Sequence, residues 1–378
     1  MPYQEVRIAD LQPGSYVVQV LQQSGEVIVK HAGWVRSAQA VDVLRSKGVQ
    51  VVLIDPAKTL KPAPVEHFTD NASQTTRSDE PPARSMFSDE WPKAERALLN
   101  TQKVQRQLLD AVRQQQQIDL TLVYEVSAGL AESISRNQDV LLCLSRIAEQ
   151  SDSLLQHSIN CAVYMAAFGR YLNLPPHKVQ ALITAALLHD IGKAINPDLL
   201  QAEDHKAIPA SLNALQKTAN LAGEVSLWIS QHCAHLDGSG SPKISAGQIE
   251  KASRMLAIVN SYEKLTSPQT SKLGPLAASR MLLERTPHKL DAELLQQFIK
   301  CIGIYPPGSV VKLSSGKLAL VLENNAKKPL LPKVKVFYHS VHQHHIPPKV
   351  LDLARQQEEQ IDSCVDLKKY GLDVHNYI

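Results

Sequence analysis

The stretch ALLHDIGK, residues 186–193, decides how this chain is read. Val179, Leu182, Ile183, Ala186 and Leu187 recur at three- and four-residue steps, so residues 178–190 are expected to form an amphipathic helix. His189 and Asp190 stand side by side at its end. Burying a carboxylate beside an imidazole is costly unless a metal or an ion pair compensates. Neutral imidazole and carboxylate are also the ligands that suit Zn, Mn or Fe at a hydrolytic centre. Gly192 lets the chain turn, and Lys193 sets a cation where a phosphate oxygen can lie. A bare His-Asp pair would more simply cap a helix. With Gly-Lys attached and further histidines on both sides, the metal reading is preferred.

Working outward, His157 shares a helical stripe with Cys161, Tyr164 and Phe168 and therefore faces inward. One inward histidine alone is more often a satisfied core residue than a ligand. His205 sits in AEDHKAIPASL and is ordinary by itself. His232 ends the helical stretch GEVSLWISQHC, and QHCAHLDGSGSPK, residues 231–243, adds Cys233, His235 and Asp237 before a tight Gly-Ser-Gly-Ser-Pro run. Asn260 and Glu263 are carried by ASRMLAIVNSYEKL.

The surroundings narrow the function classes. The chain has 378 residues, 44% of them hydrophobic, enough for two or three domains with a sizeable core. A net charge of +3 without a clustered basic face argues against a nucleic-acid polymer as partner. The five cysteines are odd in number, widely spaced and lack a CxxC pair, which fits a reducing cytoplasm rather than a disulfide framework. The start MPYQEVRIADLQPG has no signal-peptide pattern, and no apolar run approaches the roughly 18 residues of a membrane span. A soluble, cytoplasmic protein is expected.

The organisation is mainly α. Residues 1–55 read as a small α+β module, with SYVVQVLQ and VQVVLID as strands and a short helix between them, capped by Ser37 and ended by Gly48. Residues 56–92, rich in proline, serine and aspartate, read as a flexible linker. Residues 93–129 read as connecting helices that offer a dimer element, and helical patterns recur to about residue 310. From residue 311 to 378, two or three strands form a short β appendage. Its histidines His339, His342, His344 and His345 are read as a solvated hairpin loop, since no cysteine or carboxylate accompanies them.

The order His157, His189-Asp190-Gly192-Lys193, His205, His232 and Asp237-Gly238-Ser239-Gly240 resembles the HD-GYP domain, over roughly residues 130–310. The first 55 residues look like the small module of unknown function that often precedes that domain. The resemblance implies an HD-type helical fold and a metal-dependent phosphodiesterase acting on cyclic di-GMP. It implies one or two divalent ions (Fe, Mn or Zn), held by His157, His189, Asp190, His205, His232, Cys233 and Asn260. In it Asp190 and Lys193 are catalytic, Lys193 stabilising phosphoryl charge. Lys193, Gly238, Gly240 and Lys272 contact substrate. Diguanylate-cyclase-type signalling proteins and a second copy of the chain are the implied protein partners.

This sequence departs from the family pattern in four places. Cys233 stands where a second histidine is usual, and a thiolate is softer and must first lose its proton. Ser241 replaces the signature tyrosine. Asn260 replaces an aspartate and brings no charge to a dication. Gln269-Thr270-Ser271-Lys272 replaces an arginine-bearing stretch. Two functions are therefore carried forward: a phosphodiesterase of reduced activity, and a catalytically inactive relative that binds cyclic di-GMP or a partner protein. A hydrolase for a different phosphate ester ranks below both.

Overall fold

The computed structural model describes residues 3–12, 15–24, 33–35, 38–56, 84–148, 152–196, 198–216, 218, 221–267, 273–356 and 358–377. The chain divides into two compact units, Met1–Asp79 and Glu80–Ile378.

The first unit holds β1 (Gln4–Arg7), β2 (Tyr16–Gln23), β3 (Gly33–Trp34), α1 (Ala38–Ser46) and β4 (Val49–Ile54). The strands form an antiparallel sheet in the order β1-β4-β2-β3. Val49, Val52 and Ile54 of β4 bury against Val17, Val35 and Val41, so the β-branched run earns its strand by packing. Gly48 turns the chain from α1 into β4 at φ +78°, and a Cβ there would meet the Ser24 carbonyl oxygen at 1.7 Å. The two expected strands and the helix are present, with β1 and β3 added. Ser37 lies outside the described residues, as do residues 57–83, most of the expected linker.

The second unit is built on helices: α2 (Phe87–Arg113), α3 (Leu120–Ile147), α4 (Ser153–Tyr171), α5 (Pro176–Leu188), α6 (Asp198–Gln201), α7 (Asp204–Gln216), α8 (Gly223–Gln231), α9 (Lys251–Thr266), α10 (Pro275–Leu283) and α11 (Ala292–Ile302). The start of α2 falls inside the span read as linker, because Pro92 sits in its second turn instead of ending it. Asp152 caps α4 by accepting from the Leu154 and Leu155 amides, and Pro176 opens α5 at the position where its missing N–H costs nothing. α4 is buried on almost every face and packs against α2, α3, α5, α9 and α11. Leu155, Ile159, Met165 and Phe168 of α4 are fully buried, each stabilising the core by about 1.5–3 kcal/mol. Polar groups on α4, at the ends of α5 and α8 and on α9 therefore meet inside the bundle, which positions the site.

The C-terminal region is larger than the two or three strands expected. It is a five-stranded antiparallel sheet of β5 (Val310–Leu313), β6 (Lys317–Glu323), β7 (Lys333–His339), β8 (His344–Asp352) and β9 (Ile361–Cys364), in the order β8-β7-β6-β5-β9. β8 contains Pro347 and Pro348, which cannot donate to a ladder. β8 accommodates them because it lies at the sheet edge, where a missing donor breaks no ladder on its outer side. The histidines His342, His344 and His345 are exposed around the β7–β8 turn.

Candidate metal centre

α4 contributes His157. α5 ends on His189 as its C-cap, and the 3-10 turn Ile191–Ala194 that follows Asp190 carries Lys193. α8 ends on His232, again a C-cap, and α9 carries Asn260 and Glu263. His189 is 0% exposed, Asp190 1%, His232 2% and Asn260 4%.

The helices that end on these histidines also orient them. His189 Nδ1 lies 2.7 Å from the Ala186 carbonyl oxygen and His232 Nδ1 lies 2.7 Å from that of Ile229, three residues back in each case. Only a protonated Nδ1 donates to a carbonyl, so in the neutral rings Nε2 is left as a lone pair. His157 Nδ1 bonds to Glu263 Oε2, and Glu263 Oε1 is held by the Asn160 amide at 3.0 Å. His157 Nε2 then lies 3.3 Å from His189 Nε2 and 3.4 Å from Asp190 Oδ2, and His189 Nε2 lies 3.5 Å from the same oxygen. The ligating atoms of His189, Asp190 and His232 fall within 4.8 Å of one another, as do those of His157, Cys161 and His189.

Burial, opposed by Asp190 and reinforced by His157 and His232, brings His189 down to about 3. Burial lowers His232 as well. Burial also acts against His157, but the neighbouring Cys161 and Glu263 outweigh it and raise its pKa well above the usual value. Burial alone would raise Asp190, yet His189, His157 and Lys193 hold it well below the carboxylate range.

Within this site, three buried atoms find no hydrogen-bond partner among the described residues: His232 Nε2, Asp190 Oδ1 and Asn260 Oδ1. Leaving such groups unmade costs about 1–3 kcal/mol each. One divalent cation would answer them together. The imidazole and carboxylate donors fit a borderline ion such as Zn, Mn or Fe, with each histidine already braced at its other nitrogen. The Asp-His pair at the helix end is thus joined to two histidines distant in sequence.

Beside this set lies a charged cluster. Lys193 Nζ donates to Asp190 Oδ2 at 2.5 Å and to Asp204 Oδ1 at 2.8 Å. Lys264 also donates to Asp204 Oδ1, and Asn260 Nδ2 donates to Asp204 Oδ2 at 3.1 Å. Burial opposes the Lys193 ammonium, but Asp190 and Asp204 raise its pKa, while Lys264 and Lys193 depress Asp204 against its own burial.

Several expected site residues stand elsewhere. His205 points away from the centre: its side chain is 40% exposed and pairs with Glu203 at 3.4 Å. Neighbouring residues on a helix project about 100° apart, so at the start of α7 Asp204 takes the inward direction and His205 cannot. Cys233 is half-buried, belongs to neither ligand group among the described residues, and has its thiol pushed up to about 12 by burial, Asp204 and Asp190. Gly192 lies within the 3-10 turn Ile191–Ala194. It allows close approach, since a Cβ there would meet the Ser211 amide nitrogen at 2.4 Å and the Ala207 carbonyl oxygen at 2.6 Å. Gly238 turns at φ +76°, and Gly240 packs its Cα against the Cys233 carbonyl and His235 amide. Asp237 is exposed and accepts from the Ser239 amide at 2.9 Å, closing the same turn. Lys272 and residues 269–271 lie outside the described residues. Two surface clefts, one around Tyr124 and Gln180 and one around Arg280 and Tyr305, contain none of these groups.

Sequence reading did not assign roles to Asp204, Lys264, Cys161 or Glu263. Glu263 and Lys264 follow Asn260 by three and four residues, one helical face, which was a usable signal. Asp204 had none, because only tertiary packing brings it to Lys193.

Comparison with known families agrees with this architecture. Residues 142–294 match the HD domain model, and residues 3–123 match a domain of unknown function, DUF3391. The chain belongs to the HD-domain family, with a DUF3391 module ahead of the HD domain. It is 30% identical over 344 residues to the cyclic di-GMP phosphodiesterase PA4108 of Pseudomonas aeruginosa, across 86% of this chain and 83% of that protein. It is 24% identical over 191 residues to the cyclic di-GMP phosphodiesterase PdeB of Borreliella burgdorferi, across 47% of this chain and 50% of that one. A solved structure, Bd1817, an HD-GYP-type protein of Bdellovibrio bacteriovorus, overlaps 79% of this chain and 98% of its own at 15% identity and a TM-score of 0.48.

Proposed function

We propose that this chain is a divalent-metal phosphodiesterase that hydrolyses cyclic di-GMP. The carrying observation is that His189 shares one close ligand group with Asp190 and His232 and another with His157, while His232 Nε2 and Asp190 Oδ1 are buried without a hydrogen-bond partner among the described residues. These four residues would hold the ion, with Asn260 Oδ1 at hand. A metal bound there supplies Lewis-acid stabilisation of phosphoryl charge and a water of lowered pKa. The chain's own groups do the positioning. Glu263 aims the His157 ring, and the Ala186 and Ile229 carbonyls aim His189 and His232. Lys193 has three donors, two of them committed to Asp190 and Asp204, leaving one for a phosphoryl oxygen. Gly238, Gly240 and Lys272 are proposed to border the substrate. The substrate class is supported by the named activities of PA4108 and PdeB. We further propose a cytoplasmic location, a second copy as partner through the long helix α2, and contact with diguanylate-cyclase-type proteins. No helix among the described residues is long and apolar enough to cross a membrane.

The test is turnover of cyclic di-GMP by metal-loaded protein, resolved by chromatography and run beside 3'3'-cGAMP. Cleavage that disappears together with the metal in His189→Ala is expected. No cleavage by a fully loaded centre refutes the reading. One observation favours a second reading, a binding protein without turnover: the Lys193 ammonium is shared between two carboxylates and Asn260 is neutral. Calorimetry that finds tight nucleotide binding without cleavage would select it.

A further inference from the structure

The cluster around Asp204 bears on how many metal ions the centre takes. Asp190 and Asp204 face one position between them, and that position holds a cation already, the Lys193 ammonium at 2.5 and 2.8 Å. Lys193 is 5% exposed, so its ammonium has little water to return to. Lys264 closes Asp204 from the α9 side, and Asn260 occupies its remaining oxygen. Every oxygen that a second ion beside the first would take from Asp204 is thus engaged by this chain's own donors.

Charge counting points the same way. Asp190, Asp204 and Glu263 bring three negative charges, and Lys193 and Lys264 bring two positive ones. One dication turns the remaining single negative charge into a single positive one. A second dication would raise that to three positive charges in a buried pocket, with only neutral Asn260 as a further donor. Uncompensated buried charge of that size is strongly unfavourable. Asn260 also fits this arrangement: its amide donates to Asp204, where an aspartate would repel it.

We infer that the centre is built for a single metal ion, with Lys193 and Lys264 clamped on Asp204 in the place of a second. The inference rests on the metal-centre reading above and deepens it. The two lysines act as fixed cations: Lys193 keeps Asp190 negative for the metal on one side and holds Asp204 on the other.

The experiment is metal stoichiometry on the full chain. Chelator-stripped protein is titrated with Mn(II), bound metal is counted by elemental analysis, and the electron paramagnetic resonance spectrum is recorded at saturation. The expected result is one ion per chain and an uncoupled six-line signal. Two ions with an exchange-coupled signal overturn this inference alone. No bound ion overturns it and the proposed function together, so the two failures are distinguishable. The double variant Lys264→Ala/Asn260→Asp removes one ammonium and adds a carboxylate, and it should take a second ion. If it keeps the wild-type thermal transition and still stops at one, the assignment of the lysines as the blocking cations is overturned. If that variant does not fold, the wild-type count and spectrum decide.

Discussion

Replacing Asp204 by asparagine tests the charged cluster without changing its shape. Asp204 Oδ1 accepts from Lys193 and Lys264, and Oδ2 accepts from Asn260. The amide preserves the volume and removes the charge. Hydrogen bonds to charged groups contribute about 1.5–3 kcal/mol each. Lys193 keeps its bond to Asp190, and the Lys264 side chain, 31% exposed, can turn in part to water. The net loss is therefore about one such bond, roughly 2–3 kcal/mol. At about 2–4 °C per kcal/mol for a domain of this size, the metal-free protein should melt about 4–12 °C lower. Scanning calorimetry on chelator-treated protein at pH 7 reads this directly. The pH dependence has a fixed sign. Asp204 is held below its unfolded pKa, so its stabilisation is complete above about pH 4 and is lost as pH falls through the folded value. The gap between wild type and variant should close in acid. A melting temperature within about 1 °C of wild type at pH 7, or a gap that does not narrow in acid, refutes the assignment.

Three further outcomes follow from the geometry. Glu263→Gln weakens the brace on His157 and should lower metal affinity about 10–100-fold by isothermal titration, with folding retained. Cys233→Ala should leave metal content unchanged by elemental analysis, since its sulfur belongs to neither ligand group among the described residues; loss of metal would restore Cys233 as a ligand. Gly192→Ala forces a Cβ into the backbone of α7 and should cost about 1–3 kcal/mol in a urea transition, while an unchanged midpoint would show that α7 can retreat without penalty.

Local pattern carried much of the architecture. The three- and four-residue spacing in residues 178–190 becomes α5, and the β-branched runs near residues 16–22 and 49–55 become β2 and β4, because burial of one face is a property readable within a single element. The C-terminal sheet has five strands where two or three were expected, and that β8 can hold two prolines depends on its place at the sheet edge, which local pattern does not supply. The site divides the same way. His157, His189, Asp190 and His232, named together from the resemblance, are the residues the fold brings close to one another. His205, expected inward, faces outward, since a helix start can turn either Asp204 or His205 inward and the approach of α7 to Gly192 turns Asp204 in. By itself, then, the sequence determined the main helices and the family. The tertiary structure alone decided that Lys193 and Lys264 converge on Asp204, because charge pairing between segments 11 and 60 residues apart depends on how those segments pack.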